Sequence, residues 1–271
     1  MMDQISYSQV IFALLLTLGA GLATGVGSCV AFFFKHSDRK FLSLALGFSG
    51  GVMIYISLAE LLADARTGLI TLYGHRNGSF IALAAFFAGI AVAMLIDRLI
   101  PSYENPHEVK SVEAMDTPSS LQKEKMLRSG MIFALALGIH NFPEGMAVFV
   151  AGLTERSTAI SIAAAIAIHN IPEGITVSVP IYHATGNRKK AFFYSALSGL
   201  AEPCGAIVAW LILAPFISAT LLTLIFAAVA GIMIYISFDE LLPLAEEYGE
   251  HHLCVYGIIA GMLTMAISLA I

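Results

Sequence analysis

Apolar side chains fill this chain in long unbroken runs, separated by short polar clusters. They follow neither the alternation of a half-buried strand nor the narrow stripe of a surface helix. The runs fall at about 9–34, 41–63, 79–100, 129–151, 157–180, 190–214, 218–243 and 253–271. A helix needs roughly 20 apolar residues to cross a hydrocarbon core. In lipid the backbone must bond to itself, and segments of this length do so as helices. The pattern predicts an all-α membrane protein with eight transmembrane helices in one transmembrane domain, residues 1–271. The first run lacks a cationic flank and a small-residue cleavage site, so it is expected to be a retained span.

The polar interruptions set the orientation. Lys35, Arg39, Lys40, Arg98, Lys110, Lys123, Lys125, Arg128, Arg188, Lys189 and Lys190 follow the odd-numbered spans; only Arg66, Arg76 and Arg156 lie on the other side. Basic loops stay in the cytoplasm, which places both termini on the extracytoplasmic side of a cell inner (cytoplasmic) membrane. Residues 101–127 contain Pro101, Pro106, Pro118 and charges of both signs, and they read as a flexible cytoplasmic loop.

Composition agrees. The chain is 58% hydrophobic and 12% charged, against about 25% charged in soluble domains. A net charge of -5 argues against nucleic acid as a partner. Cys29, Cys204 and Cys254 form no CxxC pair, which indicates neither a disulfide framework nor a thiolate zinc site.

Two repeats organise the spans. Gly51-Val52-Met53-Ile54-Tyr55-Ile56-Ser57-Leu58-Ala59-Glu60-Leu61-Leu62 recurs as Gly231-Ile232-Met233-Ile234-Tyr235-Ile236-Ser237-Phe238-Asp239-Glu240-Leu241-Leu242. The two segments run in opposite directions, as in inverted-repeat transporters. His140-Asn141-Phe142-Pro143-Glu144-Gly145 in the fourth span recurs as His169-Asn170-Ile171-Pro172-Glu173-Gly174 in the fifth. The resulting plan is three helices, a central pair, and three helices.

Residues four apart share a helix face, so His140 stacks with Glu144, and His169 with Glu173. Asn141 and Asn170 sit about 100° around the helix. Facing antiparallel helices would converge imidazoles, carboxylates and amide oxygens, a donor set suited to Zn, Fe, Mn or Co rather than Cu(I). Pro143 and Pro172 free the carbonyls of Ile139 and Ile168 and are expected to bend the helices there. Glu202, beside Pro203 in the sixth span, adds a third midplane glutamate. An unpaired carboxylate at that depth costs roughly 2.5 kcal/mol or more, and a dication shared by all three relieves that cost. A single intramembrane His or Glu is ordinarily a packing or protonated residue; the duplicated hexapeptide is what changes that reading.

The two HNxPEG motifs, Ala201-Glu202-Pro203-Cys204-Gly205 and the Gly231–Pro243 segment resemble the ZIP family of metal transporters, in particular a bacterial branch of it. The resemblance covers essentially the whole chain. It implies a binuclear metal site within the membrane. His140, Glu144, His169 and Glu173 would hold one ion. Asn141, Asn170 and Glu202, bridged by Glu144 and Glu173, would hold the other. It also implies movement of metal (Zn2+ first, with Fe2+, Mn2+, Co2+ and Cd2+) into the cytosol, a homodimer, and no catalytic cofactor, the metal being the transported substrate.

Glu60 and Asp64 at the outer end of the second span, and Asp239 and Glu240 at the inner end of the seventh, suggest acidic mouths. Glu246, Glu247, Glu250, His251 and His252 could accept metal on the cytoplasmic side. Two other classes remain: an intramembrane metal-dependent hydrolase, disfavoured by the absence of HExxH, and a passive metal channel.

Overall fold

A computed structural model describes residues 6–31, 39–99, 120–213, 218–248 and 251–270. Among them every regular element is helical: α1 (Tyr7–Ala31), α2 (Arg39–Ile56), a wide π turn (Ser57–Leu61), α3 (Leu62–Tyr73), α4 (His75–Leu99), α5 (Ser120–Thr154), α6 (Arg156–Thr185), α7 (Arg188–Gly199), α8 (Ala201–Leu213), α9 (Ala219–Ile236), a second wide turn (Ser237–Leu241), α10 (Leu242–Tyr248) and α11 (His251–Ala270). Seven stretches of the described residues are long and apolar enough to cross a membrane. α5, the expected eighth, is 35 residues long and carries the first hexapeptide.

Two boundaries differ from the sequence expectation. Residues 120–127, expected in the loop, open α5; Leu121-Gln122-Lys123-Glu124-Lys125-Met126-Leu127 are good helix formers with no Gly or Pro among them. The rest of the expected loop, 101–119, lies outside the described residues. The sixth span breaks into α7 and α8 at Leu200, where Pro203 cannot donate to the Gly199 carbonyl. Pro143 and Pro172, by contrast, lie within helices that run on unbroken.

The repeated Gly-Ile/Val-Met-Ile-Tyr-Ile-Ser segment carries the same backbone irregularity in both copies. Leu62 N–H bonds the Ser57 carbonyl and Leu242 N–H bonds the Ser237 carbonyl, each reaching back five residues instead of four. Such insertions widen one turn.

Helix packing follows the same symmetry, and glycines set it. A Cβ on Gly51 would collide with the Ile258 carbonyl, and one on Gly261 with that of Phe48; a Cβ on Gly231 would collide with the Phe86 carbonyl, and one on Gly89 with that of Ala228. The second quartet reproduces the first, with α9 against α4 in place of α2 against α11. Without a hydrophobic drive between helices in lipid, close backbone approach at small residues is a main source of association.

The bundle divides into two sets. α1, α5, α6, α7 and α8 pack together, as do α2, α3, α4, α9, α10 and α11; α2 against α6 and α5 against α9 are the main contacts between the sets. Large apolar side chains such as Leu15, Phe87, Leu211 and Leu263 point outward, while Asn141, Glu144, His169, Asn170, Glu173 and Glu202 are wholly buried. This reverses the distribution of a water-soluble protein.

Gly231→Leu is expected to separate α9 from α4 and to destabilise the purified protein by about 1–3 kcal/mol, as overpacking does. Gly19→Leu, at a position with nothing within 4 Å of an added Cβ, is the control. Thermal melting in detergent compares them, and equal melting temperatures would refute the packing role.

Candidate metal centre

The centre is built on five interlocked helices, α1, α5, α6, α7 and α8. The glycine that ends each hexapeptide brings in a neighbour: a Cβ on Gly145 would strike the Glu202 carbonyl of α8, and one on Gly174 the Thr24 carbonyl of α1. The contact is returned, because Gly205 lies against the Phe142 carbonyl and Gly27 against that of Ile171. Gly21 and Gly199 close the ring, each against the other's carbonyl. That carbonyl of Gly199 is the one Pro203 leaves without its helical donor.

The asparagines tie the same helices through side chains. Asn141 Nδ2 donates to the Ser198 carbonyl at 3.2 Å, and Asn170 Nδ2 donates to the Ala20 carbonyl at 3.0 Å. These two bonds are equivalent under the repeat. Asn170 Nδ2 also contacts Glu202 Oε1 closely, linking α6 to α8. With their donors committed to backbone, the asparagines leave oxygen over: Oδ1 of each is buried and accepts no hydrogen bond from the described residues.

His169 and Glu144 meet across the central pair. Nε2 of His169 lies 3.1 Å from Glu144 Oε1, and both side chains are fully buried. His169 Nδ1 lies 3.1 Å from the Ala165 carbonyl. A carbonyl only accepts, so Nδ1 carries the hydrogen, and neutral imidazole then presents a lone pair from Nε2. That lone pair faces a carboxylate oxygen, so a proton or a cation must lie between them. Two ligands of one tetrahedral zinc, each about 2.0–2.1 Å from the ion, stand about 3.3 Å apart, close to the separation observed. The Nδ1 bond to backbone is the kind of support that orients metal-ligating histidines.

Of the seven expected residues, the structure brings Glu144, His169, Asn170 and Glu202 into two cross-helix contacts. It places Asn141 on α5 against α7, and Glu173 fully buried on α6 one turn beyond His169. The side chain of His140 lies outside the described residues. Among those described, no three His, Cys, Asp or Glu side chains gather around a single point.

At the ends, Glu60 and Asp64 lie within the electrostatic reach of Glu155, which bonds Ser157 Oγ at 2.7 Å in the short α5–α6 connection. The sequence reading missed Glu155, since its linker resembles any short turn. At the other end the Tyr235 hydroxyl donates to Asp97 Oδ2 at 3.4 Å and neighbours Asp239; Asp97 was also missed. Of the proposed cytoplasmic acceptors, His251 pairs with Glu246 at 2.8 Å, and the side chain of Glu240 and residues 249–250 lie outside the described residues.

Comparison with known proteins places this geometry among relatives. The family model described as ZIP Zinc transporter matches residues 99–269. The chain is 57% identical over 263 residues to the zinc transporter ZupT of Streptococcus mutans, covering 97% of this chain and 98% of that protein. It is 57% identical over 267 residues to the zinc transporter ZupT of Akkermansia muciniphila, covering 98% and 99%. With the zinc transporter ZupT of Clostridium perfringens it shares 52% identity over 274 residues, covering 97% and 96%.

Glu202→Gln removes a buried charge yet leaves an acceptor for Asn170. It is expected to melt at or above the parent temperature without metal and to lose most of the rise that zinc gives the parent. A full zinc-induced rise in the variant would show that Glu202 does not hold the cation.

Proposed function

Since this chain belongs to the ZIP zinc-transporter family, we propose that it carries zinc, and with it Fe2+, Mn2+, Co2+ and Cd2+, across the cytoplasmic membrane into the cytosol. It is a transporter and not an enzyme. The observation that carries the reading is the His169–Glu144 contact, with Asn170 and Glu202 beside it, sealed among helices that can supply no Lys or Arg at that depth.

In the proposed centre, His140, Glu144, His169 and Glu173 hold one ion. Asn141, Asn170 and Glu202 hold a second, bridged by Glu144 and Glu173. Neutral imidazole, carboxylate and amide oxygen favour borderline and hard dications over Cu(I). The acidic group of Glu60, Asp64 and Glu155 faces the extracytoplasmic side and concentrates cations there. Asp97 and Asp239 lie toward the cytosol. The outward apolar side chains lie in lipid, and the termini are extracytoplasmic.

The helix sets suggest how the centre changes access. Every described glycine packed directly against a backbone carbonyl lies within one set, which makes each set stiff. The boundary between them, α2 against α6 and α5 against α9, has no such interlock among the described residues. Metal binds while one side is open, and a shift at that boundary exposes it to the other.

Zinc uptake into proteoliposomes tests the reading. His169→Ala and Glu144→Gln are expected to slow saturable uptake at least about tenfold, since a buried polar contact costs on the order of 1–3 kcal/mol when one partner is lost. Uptake at the parent rate by both variants would overturn the site.

A second measurement concerns the outer acids. Combining Glu60→Gln, Asp64→Asn and Glu155→Gln is expected to raise KM for zinc about threefold to tenfold at low salt, with little change in kcat, as loss of electrostatic focusing predicts. An unchanged KM would remove these residues from the path.

A further inference from the structure

Three independent pairings establish which residue of α1 corresponds to each residue of α7–α8. Gly145 lies against the Glu202 carbonyl and Gly174 against that of Thr24; Gly205 lies against Phe142 and Gly27 against Ile171. Asn141 bonds the Ser198 carbonyl and Asn170 the Ala20 carbonyl. All three set Thr24 of α1 opposite Glu202 of α8, on the two flanks of the central helix pair. Each stands four residues beyond the carbonyl that an asparagine holds.

Thr24 is fully buried, and its Oγ1 has no hydrogen-bond partner among the described residues. Helical threonines usually satisfy the hydroxyl on the carbonyl four residues back, as Thr17 does on Ala13 at 2.8 Å. For Thr24 that carbonyl belongs to Ala20, and Asn170 Nδ2 already occupies it. The hydroxyl instead stands beside Gly199, where an added Cβ would come within 2.8 Å of it. Gly199 follows Ser198, the residue whose carbonyl holds Asn141. Glu202 of α8, which packs on α5, reaches across the central pair to Asn170 of α6. By the same correspondence Thr24 would reach across to Asn141 of α5, but its side chain is two bonds shorter, and Thr24 Oγ1 and Asn141 Oδ1 both lack a partner among the described residues. Two buried oxygens in this condition are costly in a membrane protein unless something polar joins them.

We propose that Thr24 Oγ1 is an oxygen ligand for the transported dication, acting with Asn141 as the uncharged counterpart of Glu202 with Asn170. The proposal rests on the metal centre described above and adds a ligand from a fourth helix, α1. The centre then has one flank with a carboxylate and one with a neutral hydroxyl. A dication binds the neutral flank more weakly, so the two flanks differ in how readily they let it go.

Three variants of the full-length protein in detergent test this, with cobalt and cadmium as probes. Thr24→Val keeps the shape and removes the oxygen. It is expected to weaken cobalt binding about threefold to tenfold and to alter the cobalt visible spectrum, while Thr24→Ser restores both. Thr24→Cys puts sulfur at the same place, and a cadmium–thiolate absorption band absent from the parent is expected. This readout stands even if Thr24→Val fails to fold. Parent-like cobalt binding and spectrum in Thr24→Val, or no new band in a folded Thr24→Cys, would overturn the proposal. Glu202→Gln, measured alongside, separates the two levels. If it loses cobalt binding while the Thr24 variants do not, only the role of Thr24 falls. If it too binds like the parent, the centre itself is misassigned.

Discussion

A carboxylate at the middle of a bilayer needs a proton, a donor or a cation, and much of this structure is organised by that demand. Glu144, Glu173 and Glu202 are all fully buried. Each ionised group at that depth costs about 2.5 kcal/mol or more, whereas interhelical hydrogen bonds in membranes average about 0.6 kcal/mol. Two or three such bonds cannot hold three glutamates charged. The imidazole lone pair of His169 pointing at Glu144 sharpens the demand, because it too requires a positive occupant. In the proposed centre a transported dication would meet both at once, and its departure would restore the cost. That alternation suits a protein that must both accept and surrender its cargo.

The helices reach this arrangement through backbone contact rather than long side chains. Gly145 and Gly174 let α8 and α1 close onto the central pair at the very turns that carry Glu202 and Thr24. Asn141 and Asn170 spend their donors on carbonyls of those neighbours. One hexapeptide thus supplies the donor atoms, the close-packed glycine and the clamp. Its duplication builds both flanks from one local recipe, and the difference between the flanks comes from outside it, in what α1 and α8 contribute.

Much of this was legible in the sequence because the residues are chemically out of place. His, Asn and Glu in apolar spans, repeated at fixed spacing, announce themselves, and so does Glu202. The eight-span plan followed from run length alone. What stayed hidden was chemically ordinary or spatial. Thr24 is hidden because a hydroxyl in a membrane helix normally bonds its own backbone; only the occupied Ala20 carbonyl shows otherwise. Glu155 and Asp97 are hidden because their importance lies in which acids they approach across the fold. The break at Leu200 was missed although Pro203 marks it, because Pro143 and Pro172 sit in unbroken helices and a proline alone does not say which outcome follows. The opening of α5 at Ser120 was missed because the prolines before it obscured a good helix-forming stretch.

The wide turns at Ser57–Leu61 and Ser237–Leu241 place a constraint on the chain's length. Each inserts one residue into an otherwise regular helix, so everything beyond it is rotated by about 100° from where an uninterrupted helix would put it. Deleting a single residue there would leave hydropathy and span length almost untouched. It would nevertheless swing Asp64 and the rest of α3, or all of α10, onto a different side of the bundle. Drift in chain length is therefore tolerable in the connections but not at these two points.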